Sequence, residues 1–76
     1  MPKIPAISPE KMIRILEAVG FVKIRQKGSH TILKKGRKLI VVPLHRGKPL
    51  KRGLVRLIIK EAEINRKEFF RLLDEV

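Results

Sequence analysis

The stretch Phe21 to Pro43, FVKIRQKGSHTILKKGRKLIVVP, decides how this 76-residue chain folds. From Phe21 the apolar period is two: Val22, Ile24 and Gln26 are expected on one face, and Lys23, Arg25 and Lys27 on the other. Gly28 predicts a turn. Extended character resumes over Ser29 to Lys34 with the β-branched pair Thr31 and Ile32. Lys35-Gly36-Arg37 is a second turn, and Leu39 to Val42, apolar at every position, reads as a strand covered on both faces. Two short turns imply an antiparallel three-stranded meander, which needs flanking helices to cover it.

Those helices are predicted on either side. Ser8-Pro9-Glu10 has the features of a helix start: a hydroxyl to cap free N–H groups, a proline suited to the first helical position, and an acid at the positive end of the dipole. Met12, Ile13, Leu16 and Val19 follow helical spacing up to Gly20, predicting a helix over about residues 9 to 19. Pro43 ends the third strand. Beyond the loop PLHRGKP, residues Leu50, Leu54, Leu57, Ile58 and Ala62 predict one apolar side of a second helix. Gly53 costs that helix about 1 kcal/mol against alanine, so either the helix starts there or another backbone comes close. Asn65 with Glu68 matches a capping box before Phe69, Phe70, Leu72 and Leu73, which predicts a short closing helix. The expected class is α+β, in the order α-β-β-β-α plus that helix, as a single domain spanning residues 1–76. Phe21, Phe69 and Phe70 are expected in the core.

Charge narrows the choice of partners. Nineteen Lys and Arg against seven Asp and Glu give +12, and Ala18 to Lys60 contains no acid while holding thirteen of the cations. A field of one sign attracts nucleic acid, an anionic membrane or an acidic protein, against the plainer reading of a solvated basic surface. Cysteine is absent, which rules out disulfides and thiolate metal sites. No run of the chain has the length or apolarity of a signal peptide or a membrane span, so a cytoplasmic location is expected, with no membrane partner.

The chemistry available is limited. His30 and His45 are the only histidines, and neither has an acid near it in sequence, so no metal site is expected. Glycine-rich nucleotide loops are missing, and no small-molecule cofactor is expected. Ser29 and His30 are adjacent, so on a strand they point to opposite faces and do not form a nucleophile and base pair. RNA asks less of a protein, because it carries its own nucleophile, the 2′-OH, beside its phosphodiester. One histidine acting as general base among cations meets the need.

The ordered set Gly20-Phe21, Arg25-Gln26-Lys27-Gly28-Ser29-His30, Val42-Pro43-Leu44-His45-Arg46-Gly47-Lys48, Leu50-Lys51-Arg52-Gly53 and Ile58 resembles the HicA toxin family, over about residues 8 to 73. These are the mRNA interferase halves of HicA–HicB pairs, type II toxin–antitoxin systems. The resemblance implies a double-stranded-RNA-binding-domain-like fold and metal-independent endoribonuclease activity that blocks translation by cleaving mRNA. It also implies His30 as the catalytic residue and a HicB-like antitoxin partner that covers the active face. Phe21 stands where many relatives carry tryptophan, which keeps an aromatic anchor.

Around His30, the cations Arg25, Lys27, Lys34, Lys48, Lys51 and Arg52 are expected to attract phosphate and to set affinity and its salt dependence. Gly28 and Ser29 belong to the same RNA-facing stretch, with Gly28 either a hairpin glycine or a place of close backbone approach. His45 is expected to hold its turn or touch phosphate. Two further readings stay open: a non-catalytic double-stranded-RNA-binding module, and a basic protein of DNA or the ribosome.

Overall fold

The computed structural model describes residues 3–76. In chain order it contains α1 (Pro9–Ala18), β1 (Val22–Lys27), β2 (His30–Lys35), β3 (Lys38–Pro43), α2 (Arg52–Glu61) and α3 (Arg66–Glu75). The strands form one antiparallel sheet in the order β1-β2-β3. This is the expected α+β meander. The closing helix is as long as the other two, at ten residues each.

Local chemistry accounts for the boundaries. Ser8 Oγ accepts from the Lys11 N–H at 3.2 Å, and Pro9 supplies the first helical position of α1. At the other end the Phe21 N–H reaches the Leu16 carbonyl and the Gly20 N–H that of Glu17, with Gly20 at φ +104°. That is a Schellman stop, which favours glycine because the residue is left-handed. A second one ends α2: the Ile64 N–H donates to Ile59 and the Glu63 N–H to Lys60, but here a glutamate, at φ +59°, holds the left-handed position. Glu63 pairs with Lys38 of β3. Asn65 Oδ1 caps α3 by accepting from the Glu68 N–H at 2.8 Å, as the capping pattern predicts.

Both hairpins close in the same way. Lys27 pairs with His30 around Gly28-Ser29, and Lys35 pairs with Lys38 around Gly36-Arg37. In each, the first central residue is a glycine near φ +60°. A glycine there suits a type II′ turn, whose twist matches that of the strands.

Helices α1 and α2 pack on one face of the sheet and α3 packs on α1, so that Leu33, Ile40 and Val42 share one core with Met12, Ile15, Leu16, Val55, Ile58 and Phe69. Phe21 and Phe69 are buried and Phe70 half-buried, in line with the core expectation. The molecule's shortest dimension, 20 Å, is that of one sheet and one helical layer. Among the described residues no helix is long and apolar enough to cross a membrane.

Three sequence expectations are corrected. Strand β3 is not covered on both faces, because helices lie on one side only; Leu39 and Val41 are 56% and 46% exposed. Regular alternation in β1 fails because a bulge between Lys23 and Arg25 inserts one residue and inverts the phase. Val22, Arg25 and Lys27 consequently face the same way as Lys34, Ile32 and His30, their partners across the ladder. Leu57 does not join the apolar side of α2 and is 51% exposed, whereas Val55 and Ile59 are buried there. Boundaries also shift by a residue: β2 runs His30–Lys35, β3 runs Lys38–Pro43, and α2 begins at Arg52, which leaves Leu50 outside it.

Candidate nucleic-acid interface

The uncovered face of the sheet carries three cross-strand rows: Lys27–His30–Pro43, Arg25–Ile32–Val41 and Val22–Lys34–Leu39. Directly opposed side chains in antiparallel strands have Cβ atoms about 5 Å apart, and successive rows on one face are about 7 Å apart. The exposed His30 therefore has Lys27 as its immediate neighbour and Arg25 one row away. The β1 bulge is responsible for this grouping. Without it, the two cations would lie on the helix-covered side.

Other elements converge on the same end of the sheet. The Ser29 carbonyl accepts from the Leu44 N–H, tying the first hairpin to the segment that leaves β3. The chain then makes a tight turn in which the His45 carbonyl accepts from the Lys48 N–H at 3.1 Å, with Gly47 at φ +76° in the position where a type II turn needs a left-handed residue. Residues 47–49 line one cleft with Ser8, Pro9 and Glu10 at the start of α1. Leu50 bonds back to the Ile7 carbonyl at 2.7 Å, which sets Lys51 and Arg52 at the head of α2. Two helix N-termini, the positive ends of their dipoles, thus share one end with His30.

Of the residues singled out in the sequence, Lys27, Gly28, Ser29 and His30 are contiguous, and Arg25 flanks them on the open face. His45, Lys48, Lys51 and Arg52 are exposed on the adjoining loop and helix start. Lys34 shares the open face but sits four residues along β2, about 13 Å from His30. Gly28 is accounted for by its own turn: among the described residues no atom lies within 4 Å of where its side chain would begin. Ser29 sits in the turn, half-buried, before the strand starts.

Sequence reasoning missed the apolar component of this face. Val22, Leu39 and Val41 are each at least 46% exposed, and half-buried Ile32 lies among them. The signal was present in Leu39–Val42, whose apolarity on both faces fits a second covering layer as well as a first.

A two-layer α+β fold with one bare, basic sheet face, an exposed histidine on it and no acid anywhere in its strands defines a small protein suited to polyanions. The family model for the HicA toxin of bacterial toxin-antitoxin systems matches residues 9–64, which includes every element from α1 to α2. The chain belongs to the HicA toxin family, and its role is that of the toxin in a toxin–antitoxin pair. No curated protein sequence matches it at a significant level.

Proposed function

We propose that this toxin is an endoribonuclease that cleaves mRNA without a metal ion and so blocks translation, with His30 as its general base. The observation that carries the reading is the exposed His30 facing Lys27, with Arg25 one row away, on a sheet face whose strands contain no carboxylate. A neutral imidazole nitrogen takes the proton from the 2′-OH, and the 2′ oxygen attacks the adjacent phosphorus. The bond from phosphorus to the 5′ oxygen breaks, and that oxygen acquires a proton as it leaves. The products are a 2′,3′-cyclic phosphate and a 5′-hydroxyl. In this reading Lys27 offsets the charge that builds on the phosphoryl oxygens, and Arg25 holds a neighbouring phosphate. Lys34, Lys48, Lys51 and Arg52, with the Gly28-Ser29 turn and His45, extend the contact along the strand of RNA.

In this reading the protein partner is a HicB-like antitoxin of a type II system, acting in the cytoplasm. The bare face supports that pairing, because exposed aliphatic side chains bordered by cations suit a protein surface with apolar and acidic groups. With no tyrosine or tryptophan in the chain, the face lacks the rings on which single-stranded bases usually stack.

The test compares wild-type protein with His30→Ala on labelled single-stranded RNA in EDTA, following cleavage and binding together. Cleavage falling by about 100-fold or more with binding retained is the expected result. Equal cleavage by both proteins would remove His30 from the chemistry. Tight, salt-sensitive binding with no cleavage by either would favour a non-catalytic RNA-binding module.

A further inference from the structure

On the helical layer, away from the face that carries His30, a groove of about 420 Å³ runs along α2 and the α2–α3 connection. Its floor is apolar and closed: Ile4, Ile59 and Ile64 are 2%, 5% and 6% exposed. Its wall is one face of α2, formed by Gly53, Arg56, Leu57 and Lys60, at the i, i+3, i+4, i+7 spacing of neighbouring side chains on a helix. No acid lines it.

Two of these residues lack a role within the chain. Leu57 is half exposed, although the other large apolar residues of α2, Leu54, Val55, Ile58 and Ile59, are at least half buried. Gly53 weakens the helix, yet its backbone is not left-handed and nothing lies within 4 Å of where a side chain would start. Among the described residues no contact calls for a glycine there. A missing side chain beside an exposed leucine is a notch, and a notch on a helix lets a second helix approach closely.

We propose that this groove is a second docking site, for an acidic amphipathic helix of a protein partner, with an apolar side chain of that helix seated between Gly53 and Leu57 and its carboxylates against Arg56 and Lys60. Charge selects among the occupants. A second copy of the chain brings another +12 and is repelled. RNA would satisfy the cations but leave the aliphatic floor and Leu57 unused. An acidic helix satisfies both, in the helix-in-groove mode of recognition. Because the groove and His30 lie on opposite layers, such a partner is held without covering the candidate active face. The inference takes from the family assignment only the existence of a protein partner, and it does not depend on His30 being catalytic.

The experiment measures binding of a fluorescein-labelled synthetic helix, with leucine on one face and glutamate on the other, against a composition-matched scramble that has no apolar face. It is run at about 150 mM salt, where exposed charges are screened beyond roughly 8 Å. The amphipathic helix is expected to bind at least ~10-fold more tightly than the scramble, a free-energy difference of about 1.4 kcal/mol. That preference is expected to disappear in Leu57→Asn and to weaken in Gly53→Ala, whose Tm is unchanged or higher. RNA cleavage by these variants should stay at the wild-type level, and His30→Ala should bind the helix normally. Equal binding of helix and scramble, or full preference retained in Leu57→Asn, would overturn the proposal. So would RNA binding that is lost in Arg56→Gln/Lys60→Gln but unchanged in Leu57→Asn, which would assign the groove to RNA.

Discussion

Lys27 and His30 face each other across the first hairpin, in the last pair of the β1–β2 ladder, on the side of the sheet that no helix covers. The two-residue turn between them holds this pair in register, and the β1 bulge sets the face on which it lies. In the proposed mechanism this ammonium and imidazole divide the work on one phosphodiester: one offsets charge and the other moves a proton.

That division predicts how two lysines of the same face differ. Lys27→Gln should lower the RNA cleavage rate by about 10-fold or more with a smaller effect on binding, as expected for a charge that acts on the reacting phosphate. Lys34→Gln, about 13 Å from His30, should weaken binding and leave the rate at saturating RNA near wild type. Single-turnover kinetics with each variant separates the two effects. Equal effects on rate would show that Lys27 is only one more phosphate attractor.

The 2′-OH is the nucleophile in the proposed mechanism, so RNA carrying a single 2′-O-methyl or deoxy nucleotide 5′ to the scissile phosphate should be bound but not cut there. Binding itself should be strongly salt-dependent. For single-stranded RNA each cation removed from the interface should reduce the slope of log K against log salt by about 0.7. Titrations of Arg25→Gln and Lys48→Gln at several salt concentrations measure that increment.

Val41 tests the bare face as a protein surface. Being 46% exposed, it contributes little to the core, so Val41→Asp should change Tm by only a few degrees. The same change should weaken association with the antitoxin by about 10-fold or more, since a charge would be buried against apolar groups. Retained affinity in a pull-down or calorimetric titration would move the antitoxin contact off this face.

The end of α1 gives a prediction for stability. Lys35 Nζ donates to the Val19 carbonyl at 2.7 Å and lies 5.9 Å from the centre of the Phe21 ring, so a cation from β2 meets the negative end of the helix dipole. Gly20 lies beneath it at φ +104°, and a Cβ there would come within 3.3 Å of Lys35 Cε. Gly20→Ala should cost about 1–2 kcal/mol and lower Tm by several degrees. Glu63→Gly should have the opposite sign, because it relieves a left-handed glutamate by about 1 kcal/mol and loses only an exposed ion pair with Lys38. Thermal denaturation of both variants checks the pair of signs.

Much of the fold is written locally. Ser8 and Asn65 as caps, Gly20 as a stop, and Gly28 and Gly36 as hairpin turns are legible because each acts through groups within a few residues of itself. The acid-free middle of the chain likewise gives the sign of its field, and the ordered motifs around His30 point to its family.

Whatever depends on the opposite strand or the opposite layer was not legible. Period-two alternation assigned Arg25 and Lys27 to the wrong side, because a bulge is a mismatch between two strands and neither sequence alone displays it. Leu39 and Val41 looked like core, because an apolar residue carries no mark of whether a second layer exists to bury it; one helical layer on one face left the other bare. By itself the sequence determined the elements, their turns, the sign of the field and the family. Tertiary structure alone decided which side chains share a face with His30, because face and burial are relations between segments, and one segment's residues cannot specify what packs against them.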